Sequence, residues 1–339
     1  MMGHDMNETD VVIIGAGPVG LFAVFECGML RMRCHVIDAL SEIGGQCAAL
    51  YPEKPIYDIP GFPAIEAQEL IFRLSEQAKP FHPVFHLGER TTGLQRLEDG
   101  RFRVETAQGT VILARAVIIA AGAGAFGPNR PPLEGIVSFE GTSVFYFITK
   151  REAFRGLRVV IAGGGDSAVD WALSLATVAS KVMLIHRRAK FRAAPESAAR
   201  LDQLVAEGLV ELVVPYQLHA LDGVDGRLRH VVVRDLDGAE RILEADALLP
   251  FFGLSTDLGP IADWGFKLER QQIPIDPTRG ETSVAGIFAV GDVASYPGKL
   301  KLILTGFAEA TQAAHAAYAL VHPGEALHFE HSTTTGVPA

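Results

Sequence analysis

Short β-branched runs and longer amphipathic segments alternate from the N-terminal region onward. Val11–Ile14 is a continuous run of β-branched residues, which predicts a buried parallel strand. A helix is predicted to follow as far as about Leu30, and a second strand over residues 34–37 ends in Asp38. Strand, helix and strand in this order predict a βαβ unit.

The same two patterns recur along the rest of the chain. Further helices are predicted over residues 64–79, 194–208 and 305–320, and another after residue 165 as far as about Thr177. Further strands are predicted over residues 84–87, 91–97, 101–106, 109–113, 116–121, 158–161, 181–185, 210–214, 228–234, 241–243, 247–252 and 286–290. Alternating strands and helices predict an α/β protein with parallel sheets.

One stretch without a regular period lies directly after the first βαβ unit. Residues 41–63 are rich in Gly, Pro and Tyr, and they predict an ordered loop. Long irregular loops in compact domains are usually functional. This loop leaves the carboxyl edge of the predicted sheet, where ligands of dinucleotide-binding folds lie.

Three glycines at G-x-G-x-x-G spacing join the first strand to the first helix. Gly15 permits a tight turn, Gly17 lets the backbone approach a pyrophosphate, and Gly20 lets the helix pack closely on the strand. Asp38 at the end of the next strand can accept hydrogen bonds from a ribose. The whole unit therefore predicts a dinucleotide site, whereas the glycines alone would also fit an ordinary tight turn.

A second fingerprint begins after the strand at 158–161. Gly163, Gly165 and Ala168 have G-x-G-x-x-A spacing, and the position equivalent to Asp38 carries His186, Arg187 and Arg188, with Arg192 close behind. A carboxylate there would repel the 2′-phosphate of NADP, whereas guanidinium groups bind it in a bidentate manner. The second unit therefore predicts an NADPH site. A solvated basic turn is the alternative interpretation.

The glycines and prolines between residues 122 and 132 indicate a linker between two domains. We expect two Rossmann-like dinucleotide-binding domains of the three-layer ββα type, the NADPH domain being inserted in the FAD domain. The expected bounds are 1–122 and 281–339 for the FAD domain, with a C-terminal extension over 323–339, and 123–280 for the NADPH domain.

Composition agrees with two globular domains in 339 residues, because 48% of the residues are hydrophobic and 21% are charged. The net charge of -10 argues against nucleic-acid binding. The apolar run at 11–25 is too short and too glycine-rich for a membrane span, and no export signal is recognisable. The odd set of three cysteines fits a reducing cytoplasm. No metal site is predicted.

An acid at the first ribose suits FAD and arginines at the second suit NADPH, which is the arrangement of a flavin reductase. Asp292 follows the buried strand at 286–290, where it can bind a ribityl hydroxyl group of FAD. Simple capping of a helix is the alternative role for Asp292.

Several motifs together resemble the thioredoxin-reductase-like flavoproteins. They are GAGPVG at 15–20, GGQ at 44–46, AAG at 120–122, GGGDSAVD at 163–170, HRR at 186–188, FRA at 191–193 and VGD at 290–292. A thioredoxin reductase needs a C-x-x-C in its NADPH domain, but residues 123–280 contain no cysteine. A glutathione-reductase type needs a cysteine pair after the first unit, where Cys47 stands alone, and the F-x-G-x-x-x-H signature of flavin monooxygenases is missing.

Longer stretches resemble one subfamily, the thioredoxin-reductase-like ferredoxin–NADP+ reductases of bacteria. They are LYPEKPIYDIPGFP at 50–63, YF at 146–147, KLILTGFAEA at 301–310 and HST at 331–333. The resemblance implies that Tyr51 and His331 flank the isoalloxazine and that the tail reaches it from the partner subunit of a homodimer. It also implies FAD contacts at Gln46, Thr91, Phe126, Asp292, Ser332 and Thr333, and NADPH contacts over the turn that includes Asp166 and Ser167.

The function implied is electron transfer between NADPH and ferredoxin or flavodoxin. A hydride would pass from NADPH to flavin N5, and single electrons would then pass to the carrier; Ser332 or His331 would assist proton balance. A reductase of a small acceptor such as free flavin or a quinone remains an alternative, as does a non-catalytic flavin sensor. A basic rim for an acidic carrier is expected among Arg130, Lys150, Arg151, Lys299 and Lys301.

Overall fold

The computed structural model describes residues 7–325 together with 327 and 336. Six α-helices lie within the described residues: α1 (Pro18–Met29), α2 (Gly45–Ala49), α3 (Ala67–Ala78), α4 (Asp166–Leu175), α5 (Pro195–Ala206) and α6 (Ile303–Val321). None of the described helices has the length and apolarity that a membrane crossing requires.

The strands of the described residues, in chain order, are β1 (Asn7–Glu8), β2 (Val11–Ile14), β3 (Cys34–Asp38), β4 (Pro55–Ile56), β5 (Ile65–Glu66), β6 (Val84–Leu87), β7 (Thr91–Arg96), β8 (Phe102–Thr106), β9 (Val111–Ala114), β10 (Ala116–Ile119), β11 (Ala125–Pro128), β12 (Arg158–Ala162), β13 (Lys181–Ile185), β14 (Val210–Val213), β15 (Gln217–Val224), β16 (Arg227–Arg234), β17 (Glu240–Glu244), β18 (Ala247–Pro250), β19 (Leu254–Asp257), β20 (Ile273–Pro274), β21 (Ile287–Ala289) and β22 (Ala294–Ser295).

The chain forms two compact units. Unit 1 comprises Met1–Phe126 and Thr256–Ala339, and unit 2 comprises Gly127–Ser255. The insertion of one unit in the other agrees with the expected arrangement, but the chain returns to unit 1 at residue 256 and not near 281. The reason is packing: Leu258, Ile261 and Phe266 belong to the same hydrophobic core as strand β2, and β20 pairs with β22.

Unit 1 is built on a parallel sheet with the strand order β21-β10-β2-β3-β6. Val11 and Ile13 of β2 pack on the side of α1 and α6, while Val12 and Ile14 face a core that includes strands of the second sheet, β1-β9-β8-β7. Both faces of β2 are therefore buried, which explains why every residue of this strand is apolar and β-branched.

Unit 2 repeats this plan in a smaller form. Its parallel sheet has the order β14-β13-β12-β18, and β15, β16 and β17 form an antiparallel three-stranded sheet. Val160 and Met183 of the parallel sheet share a core with Val231 and Leu243 of the antiparallel sheet. Helix α4 contacts β12 and β13. Each unit thus consists of three layers, two of them sheets and the third made of helices, as the ββα prediction requires.

Several short elements of the structure are absent from the prediction, and two of them show why. The stretch at 41–63 contains the short helix α2, which is missing from the prediction because five residues are too few to show a helical period. Strand β15 is also unpredicted, because the chain carries its turn-forming pairs Asp222-Gly223 and Asp225-Gly226 within and just after it.

Two histidines on neighbouring strands give unit 1 an expected pH dependence. The Nδ1 atom of His35 on β3 lies 3.0 Å from the Nε2 atom of His86 on β6. Burial, with the charges of His86 and Arg33, lowers the pKa of His35 to about 4. Between about pH 6.5, where an unfolded histidine titrates, and that lowered pKa, the unfolded chain binds more protons, so stability is lost as the pH falls.

We expect the substitution His35→Gln to weaken this dependence. Urea unfolding of the wild type and of the variant across the same pH window measures it. A loss of stability on acidification that has the same slope in both proteins would contradict the role of His35.

Candidate functional site

A cleft of about 480 Å³ lies at the carboxyl ends of the parallel strands of unit 1. Its walls come from segments that are far apart in sequence: the turn after β2, the end of β3, helix α2, the start of β7, and the beginning of α6. The predicted FAD residues that line it are Gly15, Gly17, Asp38, Gln46, Tyr51, Thr91 and Asp292.

The three fingerprint glycines have three different environments. Gly15 has a φ of +110°, and a Cβ atom there would overlap the carbonyl oxygen of Ala120. A Cβ atom on Gly20 would overlap the carbonyl oxygen of Gly15. At Gly17, by contrast, the nearest atom would be the Cα of Gly45 at 4.0 Å, so this backbone faces open space in the cleft. The geometry agrees with a turn that leaves room for a phosphate.

Asp38 holds the turn with both oxygens of its carboxylate. Its Oδ2 accepts a hydrogen bond of 2.6 Å from the amide of Ala16, and its Oδ1 accepts one of 2.8 Å from the amide of Leu40. Burial raises the pKa of Asp38, while the two amides act in the opposite direction. A carboxylate has about four acceptor sites, so Asp38 can still accept hydroxyl groups of a ribose.

Thr91 supplies a buried polar atom for which the described residues offer no partner. The residue is 6% exposed, and its Oγ1 atom has no hydrogen-bond partner within residues 7–325. Leaving a buried hydroxyl group unpaired costs about 1–3 kcal/mol. Because Thr91 lines the cleft, a polar ligand bound there would satisfy it, and the cleft fits a dinucleotide in this respect.

Tyr51 and Cys47 lie side by side in the wall of the cleft. The Sγ atom of Cys47 is 3.9 Å from the hydroxyl group of Tyr51. Burial is the main cause that raises the pKa of both groups, that of Cys47 to about 11, and nearby Asp292 adds to it. Both side chains are therefore uncharged at neutral pH, as a tyrosine ring stacked on an aromatic ligand would be.

Several lining residues were not predicted. Glu89 and Arg90 come directly before Thr91. Lys301, which was predicted only as part of the basic rim, lies two residues before the start of α6. The side chain of Glu89 accepts a hydrogen bond of 2.7 Å from Thr106, so it is held in place. Two charged residues such as Glu89 and Arg90 before a strand are equally typical of a solvated turn, so the sequence alone does not identify them as part of a ligand site.

Lys299 is not part of a basic rim, contrary to the prediction. Its side chain is 6% exposed and forms an ion pair with Glu309 of α6. Arg130 is exposed but paired with Glu140, and the Nε atom of Arg151 is buried. Lys150 and Lys301 are exposed, as a docking surface would require.

Four predicted positions cannot be placed. His331, Ser332 and Thr333 lie outside the described residues, and so does the side chain of Phe126, whose backbone belongs to β11.

Unit 2 presents the second fingerprint at the start of α4. A Cβ atom on Gly163 would lie 2.8 Å from the carbonyl oxygen of Phe251, whereas one on Gly165 would meet no atom within 4 Å. Ala168 is buried against this turn, and Ser167 is exposed at the start of the helix. The turn is thus tight on one side and open on the other, like the turn of unit 1.

The basic segment is anchored to this turn by its backbone. The amide of Arg192 donates a hydrogen bond of 2.7 Å to the carbonyl oxygen of Gly164, and the Oδ1 of Asp166 accepts one of 2.9 Å from the amide of Ala194. The guanidinium groups of Arg187 and Arg188 are exposed, and neither forms an ion pair with a residue that the structure describes. They remain available for an anion.

His186 has a packing role that the sequence did not reveal. A Cβ atom on Gly164 would overlap its imidazole ring, and the ring centroid lies 5.2 Å from that of Phe191. Burial and the charges of Arg187, Arg188 and Arg192 lower the pKa of His186. The imidazole is therefore neutral at neutral pH and supports the basic segment without adding to its charge.

The family model for pyridine nucleotide-disulphide oxidoreductases matches residues 9–319 of the chain. The chain belongs to this family. The fold of two dinucleotide-binding domains, one inserted in the other, is that of a pyridine nucleotide-disulphide oxidoreductase, as expected from the sequence.

Individual relatives within the family are more specific than the family model. A ferredoxin–NADP reductase of Rhodospirillum rubrum is 68% identical over 334 residues, which cover 98% of this chain and 97% of that protein. A ferredoxin–NADP reductase of Paramagnetospirillum magneticum is 65% identical over 332 residues, 98% of each chain. The resemblance to thioredoxin-reductase-like ferredoxin–NADP+ reductases is thereby confirmed.

Solved structures confirm the fold. The thioredoxin reductase of Lactococcus lactis has a TM-score of 0.79 at 26% identity and covers 92% of this chain and 99% of its own. The thioredoxin reductase of T. acidophilum has a TM-score of 0.80 at 25% identity over 92% of this chain and 98% of its own.

Proposed function

We propose that this protein is an FAD-dependent ferredoxin–NADP+ reductase that transfers electrons between NADPH and ferredoxin. The names of its relatives at 65% and 68% identity support this function. The observation that carries it is a cleft lined by the first glycine turn, with Cys47 as the only cysteine among its lining residues. A disulfide reductase passes electrons through a pair of cysteines, but residues 123–280 contain no cysteine and Cys47 stands alone after the first βαβ unit. The electrons are therefore proposed to leave the flavin for an external carrier.

FAD is proposed to bind in the cleft of unit 1. Gly15, Gly17 and Gly20 shape the turn for its pyrophosphate, and Asp38 accepts ribose hydroxyl groups. Thr91 and Gln46 offer polar atoms, and Asp292 also lines the cleft. When bound, FAD supplies the chemistry that links a hydride donor to one-electron acceptors.

Tyr51 is proposed to cover one face of the isoalloxazine, because a neutral phenol ring in the cleft wall can stack on it and exclude water. The resemblance assigns the other face to His331, with Ser332, Thr333 and Phe126 as further FAD contacts, and it places the tail of a homodimer's partner subunit there. Flavodoxin is proposed as an alternative carrier. Three cysteines without a disulfide support a cytoplasmic location.

NADPH is proposed to bind at the fingerprint of unit 2. The open backbone at Gly165 and the first residues of α4, Asp166 and Ser167, face the pyrophosphate. Arg187 and Arg188 bind the 2′-phosphate as planar donors, and Arg192 lies beside them. Gly163, Ala168 and His186 shape the site through packing and not through contact with the phosphate.

An anaerobic titration tests the function. Stoichiometric NADPH is expected to bleach the visible band of the bound flavin, and oxidised ferredoxin is expected to restore it. The ferredoxin step should slow as salt is added, because an acidic carrier approaches by electrostatic attraction. Thioredoxin serves as the matched control acceptor and should leave the flavin bleached.

The outcomes separate the alternatives. Failure of NADPH to bleach the flavin would contradict an enzymatic role. Oxidation of the reduced flavin by a quinone or by free flavin, but not by ferredoxin, would favour a reductase of small acceptors.

A further inference from the structure

Glu309 is a carboxylate on the buried face of α6 with three donors around it. It is 3% exposed. Its Oε2 accepts a hydrogen bond of 2.8 Å from the amide of Gly291, and its Oε1 accepts one of 2.7 Å from the hydroxyl group of Tyr296. The ammonium group of Lys299 pairs with the same Oε1. An ionised carboxylate at this depth requires such compensation.

A tight turn brings Tyr296 and Lys299 to the same carboxylate. Pro297 and Gly298 are its central residues, Gly298 has a φ of +81°, and the amide of Lys299 donates a hydrogen bond of 3.1 Å to the carbonyl oxygen of Tyr296. These are the features of a type II turn. The Nζ atom of Lys299 also lies 5.3 Å from the centroid of the Tyr296 ring.

Burial, together with the hydrogen bond to Glu309, raises the pKa of Tyr296 to about 12. The hydroxyl group therefore keeps its proton and remains a donor to the carboxylate. We call Tyr296, Lys299 and Glu309 the Gly291 clamp.

The clamp closes on the single residue that precedes Asp292. Glu309 accepts from the amide of Gly291, and the Nζ atom of Lys299 donates a hydrogen bond of 3.0 Å to the carbonyl oxygen of Gly291. Gly291 has a φ of +75°, a conformation that glycine adopts at low cost. Both polar backbone groups of this residue are thus fixed by the two ends of one buried ion pair.

The peptide on the other side of Asp292 is also held. The Nε2 atom of Gln272 donates hydrogen bonds to the carbonyl oxygens of Asp292, at 3.0 Å, and Ala294, at 3.3 Å. Asp292 itself lines the cleft. Its backbone is therefore fixed on both sides while its side chain is presented to the cleft.

We propose that Lys299 and Glu309 are positioning residues for the flavin site: they hold Gly291 so that the carboxylate of Asp292 is directed at bound FAD. The proposal rests on the proposed function, in which Asp292 contacts FAD. An apolar pair could pack in the same space without the cost of burying two charges. What it could not do is fix both the amide and the carbonyl group of Gly291.

A double-mutant cycle on FAD affinity tests the proposal. FAD dissociation constants are measured by fluorescence quenching on apoprotein for the wild type, Lys299→Met, Asp292→Asn and the combination. We expect Lys299→Met alone to weaken FAD binding by about ten- to a hundredfold, by analogy with the loss of an outer-shell contact behind a metal ligand. In the Asp292→Asn background it should weaken binding by no more than about twofold, because residues that act through one another are not additive.

A second variant guards against misfolding. Lys299→Met leaves a buried carboxylate with one charge partner fewer, so the variant with both Lys299→Met and Glu309→Gln removes the two charges together and should fold. It should still bind FAD more weakly and should shift the visible bands of the bound flavin. The matched control replaces the exposed pair of the same unit, Lys79→Met with Glu76→Gln, and should change neither quantity.

The results distinguish a failure of the positioning proposal from a failure of the proposed FAD role of Asp292. If Asp292→Asn leaves FAD affinity unchanged, the FAD role of Asp292 in the proposed function is wrong. If Asp292→Asn weakens FAD binding but the effect of Lys299→Met is fully additive with it, the pair is only structural and the positioning proposal is overturned.

Discussion

Simultaneous replacement of Arg187 and Arg188 by alanine is expected to lower kcat/KM for NADPH by about a thousandfold, because each hydrogen-bonded contact with a charged group contributes about 1.5–3 kcal/mol. Both guanidinium groups are exposed beside the open turn at Gly165, and their backbone segment is anchored to that turn through Arg192. The substitution therefore removes the proposed phosphate ligands without removing a buried contact.

NADH provides the decisive comparison, since it lacks the 2′-phosphate. Its kcat/KM is expected to change by less than about threefold in the same variant, because the lost side chains are proposed to contact only the 2′-phosphate. Arg200→Ala, an exposed arginine on α5 of the same unit, is the matched control. Equal losses with the two nucleotides would show that the arginines act on the fold of unit 2 and not on the phosphate.

Gly17→Ala and Gly20→Ala are expected to separate binding from folding. A Cβ atom on Gly17 points into the open cleft with its nearest neighbour at 4.0 Å, so unit 1 should fold. FAD affinity should nevertheless fall by about ten- to a hundredfold, as the added methyl group occupies the space of the pyrophosphate. Gly20→Ala should instead destabilise unit 1 by more than about 3 kcal/mol, because the methyl group overlaps a backbone carbonyl group of the turn.

Circular dichroism of the apoproteins measures the folding of each variant, and quenching of FAD fluorescence measures binding. A Gly17→Ala protein that binds FAD with unchanged affinity would place the phosphate elsewhere. The control is Gly88→Ala, where an added Cβ would meet no atom within 4 Å but φ is +69°, so it reports the cost of backbone strain alone.

The sequence was sufficient for the elements whose patterns are local. Strand β2 and its glycine turn are recognisable because both faces of the strand are buried and the turn leaves no room for a Cβ atom. Helix α6 has small residues on the face that meets α1, and its period is regular. Each of these features restricts which residue type can stand at a given position, so each is visible in the local sequence.

Longer-range features were not accessible in this way. The segment 256–280 has little periodicity, and only its packing with β2 and its pairing with β22 assign it to unit 1. Lys299 stands in a Tyr-Pro-Gly-Lys turn that is typical of a surface, and its burial depends on a partner in another element. Gly164 looks like a spare glycine in a run of three until the ring of His186 is seen to cover it.

The residues that line the cleft are distant from one another in sequence, and this affects the stability of the protein. Its walls come from residues as far apart as Ile14 and Ile303, so the cleft exists only in a fully folded unit 1. A ligand that binds only the folded state raises its stability by mass action. A supply of flavin therefore raises the folded fraction of this protein, and flavin starvation is expected to lower its abundance as well as its activity.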